Sequence, residues 1–511
     1  MISIVNSYGI DGINGYKVTV EVDVSNGMPL FEIVGLPDTA VKESRHRVKS
    51  ALNNNNINLP AKKYVVNLAP ADLKKEGAVY DIPIAVGILL CLQIVTFDEI
   101  ADSMFLGELS LTGEIRKVRG VLSAAIAARD NGIKNIFVPW ENAGEAAVVE
   151  NLNVFPCKTI KDIIMHFTGE EKITPLKIDV NKIFEYTNDY EFDFSEVKGQ
   201  ENVKRALEIA AAGGHNCLLI GSPGTGKTML AKRIPTILPD LSVEEALEIT
   251  KIHSVAGTLN SDTPLVTKRP FRAPHHTVST VALTGGGSFP RPGEVSLAHN
   301  GVLFLDEFPE YKKDAVEVLR QPLEDGTVTV SRVQSSMTFP CNFMLIAAMN
   351  PCKCGYYGDP NHECKCSEYQ INQYLSRISG PVLDRIDLHI EINPVKYDDL
   401  QQNSTSEKSA EIKKRVNFAR NIQRQRFADE GIYSNAQMNS KHIAKFCTLG
   451  ENEKSLLKNA FERLGLSARA YDRILKVART IADLDNSSEI AIAHLAEAIQ
   501  YRNLDRKYWN R

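Results

Sequence analysis

Eight residues, GSPGTGKT at Gly221–Thr228, carry the strongest chemical signal in this 511-residue chain. They follow the apolar run NCLLI and precede MLAKRI, the strand-to-helix context in which a glycine-rich loop cradles phosphates. Gly221, Ser222, Pro223, Gly224, Thr225 and Gly226 bring backbone close to the phosphates of ATP. Lys227 reaches the β- and γ-phosphates, and the Thr228 hydroxyl ligates Mg²⁺. A second apolar run, GVLFLDE, delivers Asp306 and Glu307 at its end, Asp306 suited to the same Mg²⁺ and Glu307 to activating the attacking water. A third, FMLIAAMN, ends in Asn350, whose amide can orient that water against the γ-phosphate.

Directly after Asn350 comes a different chemistry. NPCKCGYYGDPNHECKC holds Cys352, Cys354, Cys364 and Cys366, four of the chain's nine cysteines. Two C-x-C pairs separated by a turn-prone stretch can supply four thiolates to a tetrahedral Zn²⁺, with His362 as a substitute ligand. Reduced structural thiols and redox-active cysteines are the competing readings.

These residues need a scaffold. The length suggests about three domains at roughly 150 residues each. The apolar share of 43% and charged share of 24% are those of an ordinary soluble protein, and a net charge of -4 places any nucleic-acid contact on a local patch. The start MISIVNSYGIDG lacks a secretory pattern, and the longest apolar run, IPIAVGILLCLQIV, is shorter than a membrane span and reads as a buried helix. The expected location is cytoplasmic, with no membrane partner.

Residues 1–171 mix strand patterns (YKVTVEVDVSNG, KYVVNLAPADL, KNIFVPW) with helical ones (PDTAVKESRHRVKSALNNN, GVLSAAIAARDNG). Residues 172–195 read as a linker, 196–394 as a parallel sheet covered by helices with the cysteine-rich insert 350–366, 395–406 as a second linker, and 407–511 as a helical domain.

The order phosphate loop, LFLDE, AAMN, helical segment resembles AAA+ ATPases. KGQENVKRALEIAAAGGHNCLLIGSPGTGKT, FRAPHHTVS, GGGSFPRPGEVSLAHNGVLFLDE and ISGPVLDRIDLHIE resemble the magnesium-chelatase-type branch, and the whole length resembles the YifB/ComM group. That resemblance implies an α/β AAA+ P-loop NTPase core with a C-terminal helical lid, and a homo-oligomeric, hexameric ring. The ring would use ATP and Mg²⁺ to drive branch migration of DNA in recombination or natural transformation. It assigns Val197, Gly199 and Gln200 to the adenine side, and Arg385 to a finger that reaches the neighbouring subunit's nucleotide. Arg469 becomes a second sensor, with Arg473 one turn later as the competing choice. An AAA+ protein-remodelling chaperone without proteolytic activity is the alternative.

Two segments suit contact with single-stranded or branched DNA without sequence preference. PLEDGTVTVSRVQSSMTFPCNFMLI reads as a hairpin resembling a pore-lining one, with Ser331, Arg332 and Gln334 facing phosphates. ALTGGGSFPRPGEVS offers Phe289 and Arg291 on a glycine loop. Residues 1–171 resemble the Lon proteolytic domain, a ribosomal S5 domain 2-like α+β fold, but carry Val79 and Leu122 where the serine and lysine of that dyad would stand.

Overall fold

The computed structural model describes residues 1–96, 99–185, 190–260, 262–287, 290–332, 335–395, 407–464 and 466–509. The chain packs as two units: Met1–Thr187 with Val243–Thr267, and Asn188–Ser242 with Lys268–Arg511.

The first unit is built on a seven-stranded mixed sheet. Its order is Leu30–Val34, Lys63–Ala69, Asn14–Ser25, Ile2–Asp11, Ser103–Phe105, Asn135–Pro139, Asn153–Cys157. The alternation in YKVTVEVDVS buries Val18, Val20, Val22 and Val24 on one face. The long apolar run forms the helix Asp81–Cys91, buried at every residue. It lies on the strands Ile2–Asp11 and Asn14–Ser25, and no described helix is long and apolar enough to cross a membrane. Helix Thr39–Asn54 starts where the Asp38 carboxylate accepts from the Val41 N–H. Leu122 is fully buried in helix Val121–Asp130, and Val79 packs against the core. The Lys75 ammonium donates to the Leu73 carbonyl at 2.8 Å and to that of Pro70.

Val243–Thr267 joins this unit although it lies between two halves of the other. Its helix Val243–Ala256 packs on Val121–Asp130 and buries Ala246, Ile249 and Ile252. Inside the contact, Glu145 accepts from Ser254 at 2.5 Å and from Asn142 at 2.6 Å, and burial raises its pKa.

The second unit holds a five-stranded sheet, all parallel, ordered Phe271–Arg272, Val302–Leu305, Met344–Met349, Cys217–Gly221, Leu388–Ile392. Numbered along the chain from Cys217–Gly221, the order is 2-3-4-1-5, so the strand that carries the phosphate loop sits between the last two. The helices Ser409–Arg426, Ala468–Leu484 and Ile492–Gln500 share one core with helix Glu201–Gly213 and this sheet, so 407–509 does not separate from it. Phe194, inside the stretch read as a linker, is fully buried in that core. All but one residue of the stretch read as a second linker, 396–406, lies outside the described residues.

Candidate nucleotide site

Three parallel strands end at one edge and deliver the chemistry together. Cys217–Gly221 pairs with Met344–Met349, which pairs with Val302–Leu305, so Gly221, Asn350 and Asp306 emerge side by side at the carboxyl edge. Gly224 and Gly226 take positive φ (+79° and +87°), which lets the loop curl before helix Lys227–Arg233 begins.

Lys227 is buried. Its ammonium donates to the Gly221 carbonyl at 2.7 Å, the Ser222 carbonyl at 2.9 Å and Asn350 Oδ1 at 3.2 Å. Burial lowers its pKa, and Asp306 partly opposes that. The phosphate-loop lysine and the proposed sensor therefore meet directly. Thr228 Oγ1 donates to Asp306 Oδ2 at 2.7 Å, so the two oxygens expected to serve Mg²⁺ already face each other. A hydroxyl and a carboxylate are hard oxygen donors of the kind Mg²⁺ takes, with phosphates and water completing its shell.

Glu307 follows in a left-handed backbone conformation, φ +52°, which costs a non-glycine residue ~1–3 kcal/mol. Its exposed carboxylate lies 3.2 Å from His276 Nδ1. The His276 and His275 rings lie 4.1 Å apart, tilted by 34°, and Tyr311 donates to the Pro274 carbonyl at 2.6 Å, which anchors the turn that carries both. The sequence reading assigned His276 no role. The double histidine in FRAPHHTVS was its only mark, and the contact spans thirty-one residues.

Val197 is buried, Gly199 and Gln200 take positive φ, and Gln200 Nε2 donates to the Asn393 carbonyl at 2.6 Å. Asn393 follows strand Leu388–Ile392, whose Ile392 pairs with Gly221, so this segment is tied to the same edge as the phosphate loop.

Arg385 and Arg469 are not brought to that loop. Arg385 precedes strand Leu388–Ile392, and its carbonyl accepts from Asn216 at 3.1 Å. That is the amino edge, one strand length (about 16 Å) from the site. Its buried guanidinium pairs with Glu324. Arg469 is exposed at the start of helix Ala468–Leu484. Arg473, a turn later, is pinned: its Nη1 lies 2.9 Å from Asp387 Oδ1. Asp387 is fully buried, accepts from the Asn216 N–H at 2.9 Å and lies 3.5 Å from His215 Nδ1. Burial alone would raise its pKa, but Arg473, His215 and Lys476 outweigh burial and hold it well below the usual carboxylate range.

The four cysteines converge. Sγ–Sγ separations are 3.3 Å (Cys352–Cys354), 3.7 Å (Cys352–Cys364) and 3.6 Å (Cys354–Cys364), and all four sulfurs lie within 4.8 Å of one another. Burial opposes it, but the Tyr356 and Lys365 N–H groups and neighbouring thiols bring Cys354 down to about 6. His362 stands apart from the cluster, stacked on Tyr356 at 4.7 Å.

Of the proposed DNA contacts, Ser331 is exposed on the antiparallel hairpin Thr327–Arg332 with Ser335–Pro340, its hydroxyl 3.0 Å from that of Ser336. Arg291 is exposed on a short pair with Gly286. Gln334, Phe289 and the Arg332 side chain lie outside the described residues.

The family described as "Magnesium chelatase, subunit ChlI" matches residues 193–400, "Subunit ChlI of Mg-chelatase" matches 20–142, and "Magnesium chelatase, subunit ChlI C-terminal" matches 406–502. The chain is similar to "Competence protein ComM" of Haemophilus influenzae, at 44% identity over 99% of this chain and 98% of that one. Similarity to YifB of Escherichia coli is 44%, over the same shares. The "Magnesium-chelatase 38 kDa subunit" of Cereibacter sphaeroides is 26% identical over 31% of this chain and 53% of its own.

Proposed function

The chain belongs to the YifB/ComM family of magnesium-chelatase-like proteins, and on that premise we propose that it is an ATP-hydrolysing ring motor acting on DNA. The observation that carries the reading is the joint arrival of Lys227, Asn350, Thr228 and Asp306 at one sheet edge, paired with each other. Lys227 binds the β- and γ-phosphates, Thr228 and Asp306 hold Mg²⁺, Glu307 takes the proton of the attacking water, and Asn350 orients that water. A Mg²⁺ ion held by Thr228 and Asp306 would neutralise phosphate charge as it develops.

Arg385 stands a strand length from its own phosphate loop, so it serves the site of the next subunit in a ring, expected to be a hexamer. Arg469 senses nucleotide from the helical segment, whereas Arg473 is committed to Asp387. The work done is branch migration of recombination intermediates, with Ser331, Arg332, Gln334, Phe289 and Arg291 on the strand-contacting hairpins. Residues 1–171 are a Lon-like fold without peptidase chemistry, in keeping with a buried Leu122 and a Lys75 bound to carbonyls. The four cysteines hold a structural zinc ion.

The test is ATP turnover with and without single-stranded and four-way-junction DNA. Stimulation, with binding that weakens as salt rises, is expected. Turnover that no DNA alters, with no binding at low salt, refutes the DNA motor and leaves a protein-remodelling one.

A further inference from the structure

We infer that the tetracysteine loop is a zinc-dependent brace for the phosphate loop, so that nucleotide affinity depends on metal occupancy; the inference rests on the reading of Gly221–Thr228 as the ATP site. The sulfurs of Cys352, Cys354 and Cys364 stand 3.3–3.7 Å apart, too far for a disulfide, which needs about 2.05 Å. A tetrahedral Zn²⁺ with Zn–S near 2.3 Å spaces its sulfurs at about 3.8 Å. Three of the four sulfurs stand near that spacing and the Cys366 sulfur lies within 4.8 Å of them, so the cluster can close on a zinc ion.

What lies between the two cysteine pairs gives the metal a task. Asp359 Oδ2 accepts from the Ser222 hydroxyl at 2.5 Å, while Oδ1 accepts from the N–H groups of Asn361 at 2.8 Å and His362 at 3.1 Å. The Ser222 hydroxyl and these amides hold the carboxyl below its ordinary pKa. Gly355, at φ +90°, lies so close to the phosphate loop that a Cβ there would stand 2.6 Å from Pro223 Cδ. Two successive residues of the phosphate loop are therefore held by the insert, and a third contact, Asn350 with Lys227, stands at its root.

Much of the loop itself is exposed: Lys353, Tyr357, Gly358, Pro360, Asn361, His362 and Glu363 face solvent. It contributes little apolar burial of its own, so four metal–sulfur bonds would supply the ordering that burial does not. Losing the ion frees Asp359 and Gly355, and the phosphate loop loses the carboxylate that fixes Ser222.

The experiment uses the full-length protein purified under reducing conditions. Zinc is counted by mass spectrometry, and a fluorescent mant-ADP is titrated into the protein as purified, after stripping with a high-affinity chelator, and after zinc is returned. One equivalent of zinc is expected, and stripping should weaken mant-ADP about three- to tenfold, reversibly. Asp359→Asn leaves every cysteine in place. It should weaken mant-ADP by a similar factor with zinc retained, and stripping that variant should add little. If stripping unfolds the chain, Asp359→Asn alone decides.

Zinc below about a tenth of an equivalent overturns the metal. Equal mant-ADP affinity with and without zinc, or in Asp359→Asn, overturns the brace alone. Zinc-loaded protein that binds no mant-ADP overturns the nucleotide reading and the brace with it.

Discussion

Replacing Arg473 by methionine should unfold the second unit far more easily, while replacing Arg469 by alanine should not. Asp387 has no exposed side-chain surface, and the Arg473 guanidinium at 2.9 Å is its closest charged partner. Methionine keeps most of the volume and removes the charge, which leaves a carboxylate buried beside a histidine that burial keeps largely neutral. Breaking a buried pair from one side costs about 3–5 kcal/mol. Arg469 is exposed, and its loss should stay within about 0.5 kcal/mol.

The pH dependence carries a sign. In the wild type the Asp387 carboxyl is depressed, so its stabilisation is present above the ordinary value of 3.8 and is lost as pH falls through and below it. In Arg473→Met the largest lowering influence is lost while His215 and Lys476 remain, so the carboxyl rises and the variant gains less stability with rising pH than the wild type does. The gap between the two proteins should therefore widen from pH 4 to pH 7. Urea unfolding followed at Trp509, with Trp140 replaced by phenylalanine so that one of the two tryptophans reports, measures it. A cost under about 1 kcal/mol at pH 7, or a gap that narrows with rising pH, refutes the reasoning.

Two further outcomes concern turnover. His276→Ala removes a half-buried partner of the exposed Glu307, worth about 0.2–1 kcal/mol, so kcat should fall by at most about fivefold with KM unchanged. Glu307→Gln should cost ~10²–10⁴-fold; a His276→Ala loss of that size would mean that the imidazole itself does chemistry. If Arg385 acts on the neighbouring subunit, two inactive variants, Lys227→Ala and Arg385→Ala, should recover activity when mixed. In a random equimolar ring about a quarter of sites pair an intact Lys227 with an intact neighbouring Arg385, and no recovery would refute action in trans.

The parts of the site that a short window encodes were legible in the sequence. GSPGTGKT needs only its flanking strand and helix, Asp306 and Asn350 only the ends of their apolar runs, and the cysteines only their spacing. What stayed hidden depends on chain folding over distance. Ser222 and Asp359 are 137 residues apart, and Arg473 and Asp387 are 86 apart. Nothing in either neighbourhood marks the partner. Arg469 and Arg473 share a helix at one-turn spacing, and periodicity cannot say which of them turns inward; Asp387 decides it. Helix Val243–Ala256 was readable as a helix, yet a pattern of Ala246, Ile249 and Ile252 does not reveal which core will receive it.

That helix also bears on how such a gene can be cut and joined. The first unit is written in two passages of the gene, Met1–Thr187 and Val243–Thr267, with the phosphate loop coded between them. A recombination event that exchanged only the opening stretch would pair one ancestor's Glu145 with another's Ser254. The two passages must be inherited, and must drift, as one.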